Sequence, residues 1–171
     1  MYQADLIYIA DAAIEKEVEN DLFLRAVQRH DDAALDAVVH SIYDTVSAAI
    51  DCTACGNCCK TLIINVAPDE ITPLAAYLNL PEEDVKEKYI EESLAGNCFI
   101  NTMPCHFLHA NKCTIYEQRF TECRDFPHLH KPGFKDRLAG TLMHYGRCPI
   151  IFNVIEVLKD RLHVVDTGGV N

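Results

Sequence analysis

Basic residues are scarce in this chain. Its 171 residues include 15 Lys plus Arg against 26 Asp plus Glu, which gives a formal net charge of -11. Because proteins that bind nucleic acids usually present a basic face to the phosphates, this balance argues against a nucleic-acid partner. The length fits a single domain over residues 1–171, since a domain of this size buries an ordinary core without needing disulfides.

The segments that mark membrane and secreted proteins are also missing. No run of about 18 apolar residues occurs, so no membrane-spanning helix and no membrane partner are expected. The N-terminal stretch has no basic region and is interrupted by Asp5, Asp11 and Glu15, which is not the pattern of a secretory signal. We therefore expect a cytoplasmic protein.

Common catalytic motifs are absent too. The sequence contains no Gly-rich phosphate loop, no nucleophile elbow and no HExxH metal motif. The sequence therefore gives little support to an enzymatic activity, and it leaves that question open.

Cysteine, in contrast, is abundant and unevenly distributed. The chain has nine cysteines, none of them in the first 51 residues, and four of them fall between Cys52 and Cys59. In a reducing compartment, a dense cysteine pattern is more often metal-binding or catalytic than disulfide-forming. The cysteine region therefore holds the candidate site.

Hydrophobic periodicity predicts helices on either side of the cysteines. Asp31 or Asp32 is placed to cap a helix whose apolar residues recur every three or four positions from Leu35 onward. Upstream, two weaker amphipathic segments separated by Asn20-Asp21 would form a helical hairpin. A further helix is expected after Cys148-Pro149, followed by a frayed tail from Asp166.

Between these helices the pattern is mixed. A short strand at residues 62–66 precedes a helix from Asp69, and Pro81 suits the first position of an acidic helix through about Ser93. Short β-favouring pieces from Cys98 to Tyr116 indicate a small hairpin. We therefore expect an α+β fold in which an N-terminal helical hairpin (1–50) packs on a cysteine-rich metal-binding region with short strands (51–150), followed by a C-terminal helix and tail (151–171).

The sequence DCTACGNCCK, residues 51–60, carries the strongest signal. Its spacing is C-x2-C-x2-C-C, and a two-residue spacer lets successive thiolates turn onto one ion, with Gly56 supplying backbone freedom. Cys58 and Cys59 are adjacent, and neighbouring side chains in an extended segment point to opposite sides. We therefore expect one of them in the loop's own site and the other in a second site or in the core.

Four cysteines further along the chain supply further ligands: Cys105, Cys113, Cys123 and Cys148. Together with the first four they could fill two four-thiolate zinc sites, or hold one iron-sulfur cluster with ligands to a second metal. The first three cysteines with Cys148-Pro149 imitate a ferredoxin arrangement. The sequence does not decide between these divisions.

The C-x2-C-x2-C-C run, CHFL from Cys105, CTIYEQR from Cys113 and CRDFP from Cys123 together resemble the YkgJ-type cysteine-cluster family, described as zinc- or iron-chelating. The resemblance covers about residues 51–150, and Cys98 falls outside its pattern. It implies a ligand role for eight cysteines: Cys52, Cys55, Cys58, Cys59, Cys105, Cys113, Cys123 and Cys148.

These observations predict a metal-binding protein that chelates zinc or iron through eight cysteines. One alternative is an iron-sulfur protein in electron transfer, redox sensing or a modification reaction. Another is a metal-stabilised interaction module whose acidic helix at residues 81–93 engages a protein partner. We further expect basic residues beside the cysteines to donate to ligand thiolates: Lys60, Lys112, Arg119, Arg124 and Arg147.

Overall fold

The computed structural model describes residues 1–163, so the expected fraying of the tail from Asp166 lies outside the described residues. The chain forms two compact units. Among the described residues, the helical unit consists of residues 1–51 and 127–163, and the cysteine unit consists of residues 52–126. The single-domain organisation expected from the length stays a prediction.

Helices and short strands follow one another through residues 1–163, which confirms the α+β class. In chain order they are α1 (Leu6–Glu15), α2 (Glu17–Val27), α3 (Asp32–Ala49), α4 (Cys52–Cys55), α5 (Asn57–Thr61), β1 (Asn65–Val66), α6 (Ile71–Leu78), α7 (Glu82–Tyr89), β2 (Ile90–Glu92), β3 (Cys98–Ile100), β4 (Leu108–His109), β5 (Lys112–Cys113), α8 (Thr121–Asp125), α9 (Phe134–Leu142) and α10 (Pro149–Arg161). None of these helices is both long and apolar enough to cross a membrane.

Helix α3 is the centre of the helical unit. Its predicted cap is confirmed, because the Asp31 carboxylate accepts a hydrogen bond from Ala34 N at 2.9 Å. The helix packs against α9 and α10. Its apolar stripe is buried at four positions: Leu35, Val39, Ile42 and Val46.

The two N-terminal helices are joined by a single residue, Lys16, and not at Asn20-Asp21. Lys16 N donates to Ala12 O at 2.9 Å and Asn20 N donates to Lys16 O at 2.8 Å, so helical hydrogen bonding continues on both sides of the break. Asn20 therefore lies inside α2, where it is buried. The polar pair Asn20-Asp21 predicted a break between two helices, but the helix continues through both residues.

A network of charges ties α2 to α10. Lys159 is 1% exposed, and its ammonium group donates to Glu19 at 2.7 Å and to Glu156 at 2.9 Å. Lys16 also donates to Glu156, and Tyr145 Oη donates to the same carboxylate at 2.7 Å. Each buried charge is therefore paired and hydrogen-bonded, which is the condition for keeping it out of water.

The C-terminal helix is confirmed as α10, which begins with Pro149 and is buried along most of its length. Helix α9, in contrast, did not stand out in the sequence. Its first amide groups are satisfied from α3, because the Asp36 carboxylate accepts from Gly133 N at 2.7 Å and from Phe134 N at 2.9 Å.

The cysteine unit contains a three-stranded antiparallel sheet in the order β1-β3-β2 and a separate β4-β5 hairpin. The acidic helix expected to reach Ser93 ends at Tyr89, and Ile90 pairs with Ile100 in the sheet. The expectation for residues 90–93 is wrong because the β-branched Ile90 finds a sheet partner there. A small apolar core packs beneath the sheet: Ile64, Val66, Ile71, Leu74, Ala75, Val85, Ile100, Phe107, Ile115 and Phe120.

Candidate metal centre

The C-x2-C-x2-C-C run folds as two helical turns, α4 and α5, separated by Gly56. Gly56 has φ of +58°, a left-handed conformation that glycine adopts without strain. A β-carbon at this position would lie 3.0 Å from the carbonyl oxygen of Asn111. The loop therefore fits closely against the chain at Asn111.

Asn111 belongs to the turn that joins β4 to β5. Ala110 and Asn111 both have positive φ, which is the geometry of a two-residue hairpin turn. Leu108 pairs with Cys113 across this hairpin, and α4 contacts β5. The close approach of Gly56 and Asn111 thus brings the first cysteine turn against the strand that carries Cys113.

Cys58 and Cys59 lie side by side in α5, with their sulfurs 4.0 Å apart. The expectation that they point to opposite sides is wrong, because it assumed an extended segment and residues 57–61 are helical. The Cys59 carbonyl accepts a hydrogen bond from Cys105 N at 2.9 Å. This bond joins the cysteine loop to the segment that carries the next ligand candidate.

Three partly buried thiols are affected electrostatically by Cys59: Cys105, Cys113 and Cys123. Burial raises the pKa of Cys105, and the charges of Cys59 and Cys113 raise it further. Burial also raises the pKa of Cys123 to about 12, with added repulsion from Cys59, Cys105 and Cys113. The pKa of Cys113 is raised by burial and by Cys59.

The pKa of Cys59 is raised well above its ordinary value, first by its interaction with Cys58 and then by burial. Thiolates at these four positions therefore lack enough nearby positive charge to be stable in isolation. A divalent cation supplies that charge, so the donor set fits a thiolate-bound metal in its chemistry.

Backbone amides are already directed at two of these sulfurs. Phe107 N–H donates to the Cys105 thiol, and Ile115 N–H donates to the Cys113 thiol, each from two residues further along the chain. Both hydrogen bonds lower the pKa of their thiol and favour the thiolate, which is the form that binds metal. Hydrogen bonds of this kind orient metal ligands and adjust their basicity.

Cys123 is positioned by a residue that the sequence analysis missed. Glu70 Oε1 accepts from Thr121 N at 2.6 Å and from Thr121 Oγ1 at 2.8 Å, at the first residue of α8. Because the first amides of a helix have no partner inside it, this carboxylate stabilises the start of the helix that carries Cys123. No local signal reveals it, because Glu70 and Thr121 are 51 residues apart.

Two of the five basic residues expected near thiolates act on a specific cysteine. Lys60 lowers the pKa of Cys59 and Arg119 lowers that of Cys113, in each case against larger effects that raise it. The Arg119 guanidinium also lies over the Tyr116 ring, 3.9 Å from its centroid. Arg124 instead donates to the carbonyl of Glu117 at 3.5 Å.

A family model described as "Putative zinc- or iron-chelating domain", CxxCxxCC, matches residues 51–142, which is more than half of the chain. This chain belongs to the CxxCxxCC family. No curated protein and no solved structure matches it. Membership agrees with the resemblance drawn from the cysteine motifs and gives the domain a metal-chelating description, with zinc and iron both named.

In this member of the CxxCxxCC family, the matched segment contains seven of the eight predicted ligands: Cys52, Cys55, Cys58, Cys59, Cys105, Cys113 and Cys123. Cys52 is exposed and the other six are partly buried. The eighth, Cys148, belongs to the helical unit, where it is 8% exposed and immediately precedes α10. Cys98 lies in β3.

Among residues 1–163, no group of three or more Cys, His, Asp or Glu side chains has the geometry of a closed metal site. The four interior thiols are neighbours through their charges and through the backbone segments that carry them. The structure therefore identifies cysteines that share one region of the unit.

Proposed function

We propose that the cysteine unit chelates zinc or iron, and that Cys59, Cys105, Cys113 and Cys123 form one four-thiolate site. The observation that carries this proposal is that Cys59 raises the pKa of the other three partly buried thiols, and that Cys123 is also affected by Cys105 and Cys113. Without a cation, burial and neighbouring thiolates both oppose ionisation at Cys105, Cys113 and Cys123. A four-cysteine set is also the ligand composition of structural zinc sites.

The residues of this chain have three tasks in the proposed site. The amides of Phe107 and Ile115 hold two sulfurs and favour their thiolate forms. Glu70 stabilises the helix that presents Cys123. The hydrogen bond from Cys105 N to Cys59 O joins two of the segments that would supply ligands, and the four thiolates would hold the ion. When bound, the metal links segments that are distant in sequence and thereby stabilises the unit.

The remaining three cysteines of the unit form a second, more open group on the α4-α5 turns. Cys52 is exposed, and Cys55 and Cys58 are partly buried. Three thiolates with this spacing favour an iron-sulfur cluster as the second candidate function, in electron transfer, redox sensing or a modification reaction. The fourth ligand of that group stays unassigned, and Cys148 remains a predicted ligand.

The cellular setting belongs to the same proposal. Nine cysteines present as thiols, none of them in a disulfide among the described residues, fit a reducing compartment, which supports a cytoplasmic location. The metal ion is the partner that the cysteine unit most directly supports.

Metal analysis on the full chain tests the proposal. The protein would be purified without oxygen, and zinc, iron and acid-labile sulfide would be measured per chain. We expect Cys123→Ser to lower the bound metal by about one equivalent, because a four-thiolate site loses a ligand. Cys98→Ser is the matched control, since Cys98 is a partly buried thiol of the same unit outside the proposed set.

The two outcomes separate the candidate functions. Zinc without labile sulfide supports thiolate chelation alone, whereas iron with sulfide that is lost in Cys52→Ser supports the iron-sulfur reading of the open group. Full metal content in Cys59→Ser, Cys105→Ser and Cys123→Ser alike would show the four-thiolate assignment to be wrong. Cys148→Ser tests the eighth predicted ligand in the same assay.

A further inference from the structure

The N-terminal helices expose a row of large apolar side chains. Four of them are mostly accessible to solvent: Ile7 (75%), Ile14 (75%), Val18 (72%) and Leu22 (56%). They recur at intervals of seven and four residues, so on a helical run they lie along one side. We call these four residues the apolar stripe.

The stripe is separate from the face that packs in the helical unit. That inner face is formed by other residues of the same helices, and Ile9, Ala12, Phe23 and Val27 are buried on it. The buried positions keep helical spacing across the break at Lys16, from Ala12 to Asn20 and Phe23, so the exposed positions opposite them stay on one side. The stripe is therefore a second apolar face on helices that already have a core face.

Acidic side chains border the stripe on both sides. Asp11 and Glu15 lie along one edge and Glu17 and Asp21 along the other, and all four are exposed. None of the ion pairs within residues 1–163 involves any of them. Lys16, the basic residue in the middle of the run, is occupied by Glu156. The surface is therefore apolar along its axis and uncompensated negative at its borders.

From this arrangement we propose that the apolar stripe is a docking surface for a basic amphipathic helix of a partner protein. Apolar anchors one and two turns apart are the pattern by which a helix is recognised along its length. Basic residues beside those anchors would meet the four acidic borders, which gives charge complementarity. A second copy of this chain would instead place acidic borders against acidic borders, which is unfavourable.

A designed peptide tests the surface on the full chain. The probe is a synthetic amphipathic helix with leucines at positions i, i+3, i+4 and i+7, arginines beside them and one tryptophan. Because the chain contains no tryptophan, the fluorescence of that residue reports the peptide alone. A second peptide has the same apolar residues and glutamates in place of arginines.

We expect the basic peptide to bind at least about tenfold more tightly than the acidic one at low salt, and the difference to shrink as ionic strength rises. The double substitution Ile14→Gln with Val18→Gln should weaken binding of the basic peptide by about tenfold or more. Its matched control is Met143→Gln with Leu94→Gln, which changes two apolar residues elsewhere that are at least about as exposed and should leave binding within about twofold.

The borders are tested separately from the stripe. Glu15→Gln with Glu17→Gln should weaken binding of the basic peptide and reduce the salt dependence of that binding. The control Asp44→Asn with Glu87→Gln makes the same change in net charge and should do neither. Equal binding of the two peptides, or unchanged binding in the Ile14 and Val18 variant, would overturn the proposal. The proposal would also be overturned if the wild type sedimented as a dimer and the Ile14 and Val18 variant as a monomer, since the occupant would then be a second copy.

Discussion

Gly56→Ala is the substitution for which the structure predicts a specific loss of metal affinity. Gly56 has φ of +58°, and a β-carbon there would meet the Asn111 carbonyl oxygen at 3.0 Å. A non-glycine residue in the left-handed region costs about 1–2 kcal/mol. The contact adds to this, because backbone atoms at the hairpin turn would have to shift to accommodate the methyl group.

The cost should appear in the affinity for metal. Gly56 directly precedes α5, which carries Cys59, so a metal-bound loop must keep the Gly56 conformation, whereas a metal-free loop can leave it and release the strain. An energy of about 1–2 kcal/mol corresponds to roughly a 5- to 30-fold weaker apparent affinity. Competition between the protein and a chromogenic zinc chelator, carried out without oxygen, measures this ratio directly.

Two other glycines provide controls. Gly96 also has positive φ, +80°, but the nearest atom to its β-carbon would be Glu92 Oε1 at 3.9 Å, and it lies in the β2-β3 turn. Gly140 has nothing within 4 Å of the added carbon. We expect Gly96→Ala to lower thermal stability without weakening zinc binding, and Gly140→Ala to change neither. The reasoning fails if folded Gly56→Ala protein has a zinc affinity within about twofold of the wild type. It also fails if Gly96→Ala weakens zinc binding as much as Gly56→Ala does.

Three further predictions concern stability. Asp36→Asn should lower the free energy of unfolding of the helical unit by about 1 kcal/mol at neutral pH, as expected for a lost helix cap. Burial opposes ionisation of Asp36, but hydrogen bonds from Phe134 and Gly133 lower its pKa below the ordinary value of 3.8. The wild-type advantage should therefore be complete above about pH 5 and disappear as pH falls through the lowered value, which urea unfolding at several pH values checks. Lys159→Met should lower the free energy of unfolding by about 3 kcal/mol, because it leaves two carboxylates without their buried partner. Lys135→Met should lower it by less than about 1 kcal/mol, because its partner Asp32 is largely exposed. A metal chelator should remove the protection of the cysteine unit against amide hydrogen exchange, whereas the amides of α3 and α10 should stay protected.

The helices that follow from local rules were predictable. Asp31 caps α3 and Pro149 starts α10, and in both cases the signal and its consequence lie within a few residues of each other. Periodicity added the buried face of α3. Such elements are readable because the side chain that stabilises the backbone is adjacent to it in sequence.

Elements whose stabilising partners are distant were not predictable. Helix α9 begins where the carboxylate of Asp36 satisfies its first amides, and that residue is 97 positions before Gly133. Strand β2 ends an acidic helix early because Ile90 pairs with Ile100. In both cases a contact between separate elements outweighs the local propensity, and a single sequence does not display such contacts.

The candidate site shows the same division between composition and arrangement. Spacing identified the cysteines, but their grouping depends on the helical conformation of α5, which places the Cys58 and Cys59 sulfurs 4.0 Å apart, and on the hydrogen bond from Cys105 to the carbonyl of Cys59. A ferredoxin-like grouping by sequence would place the first three cysteines with Cys148, which belongs to the helical unit. Cys59 raises the pKa of Cys105, Cys113 and Cys123, which are 46 or more positions further along the chain, and spacing alone does not display that proximity.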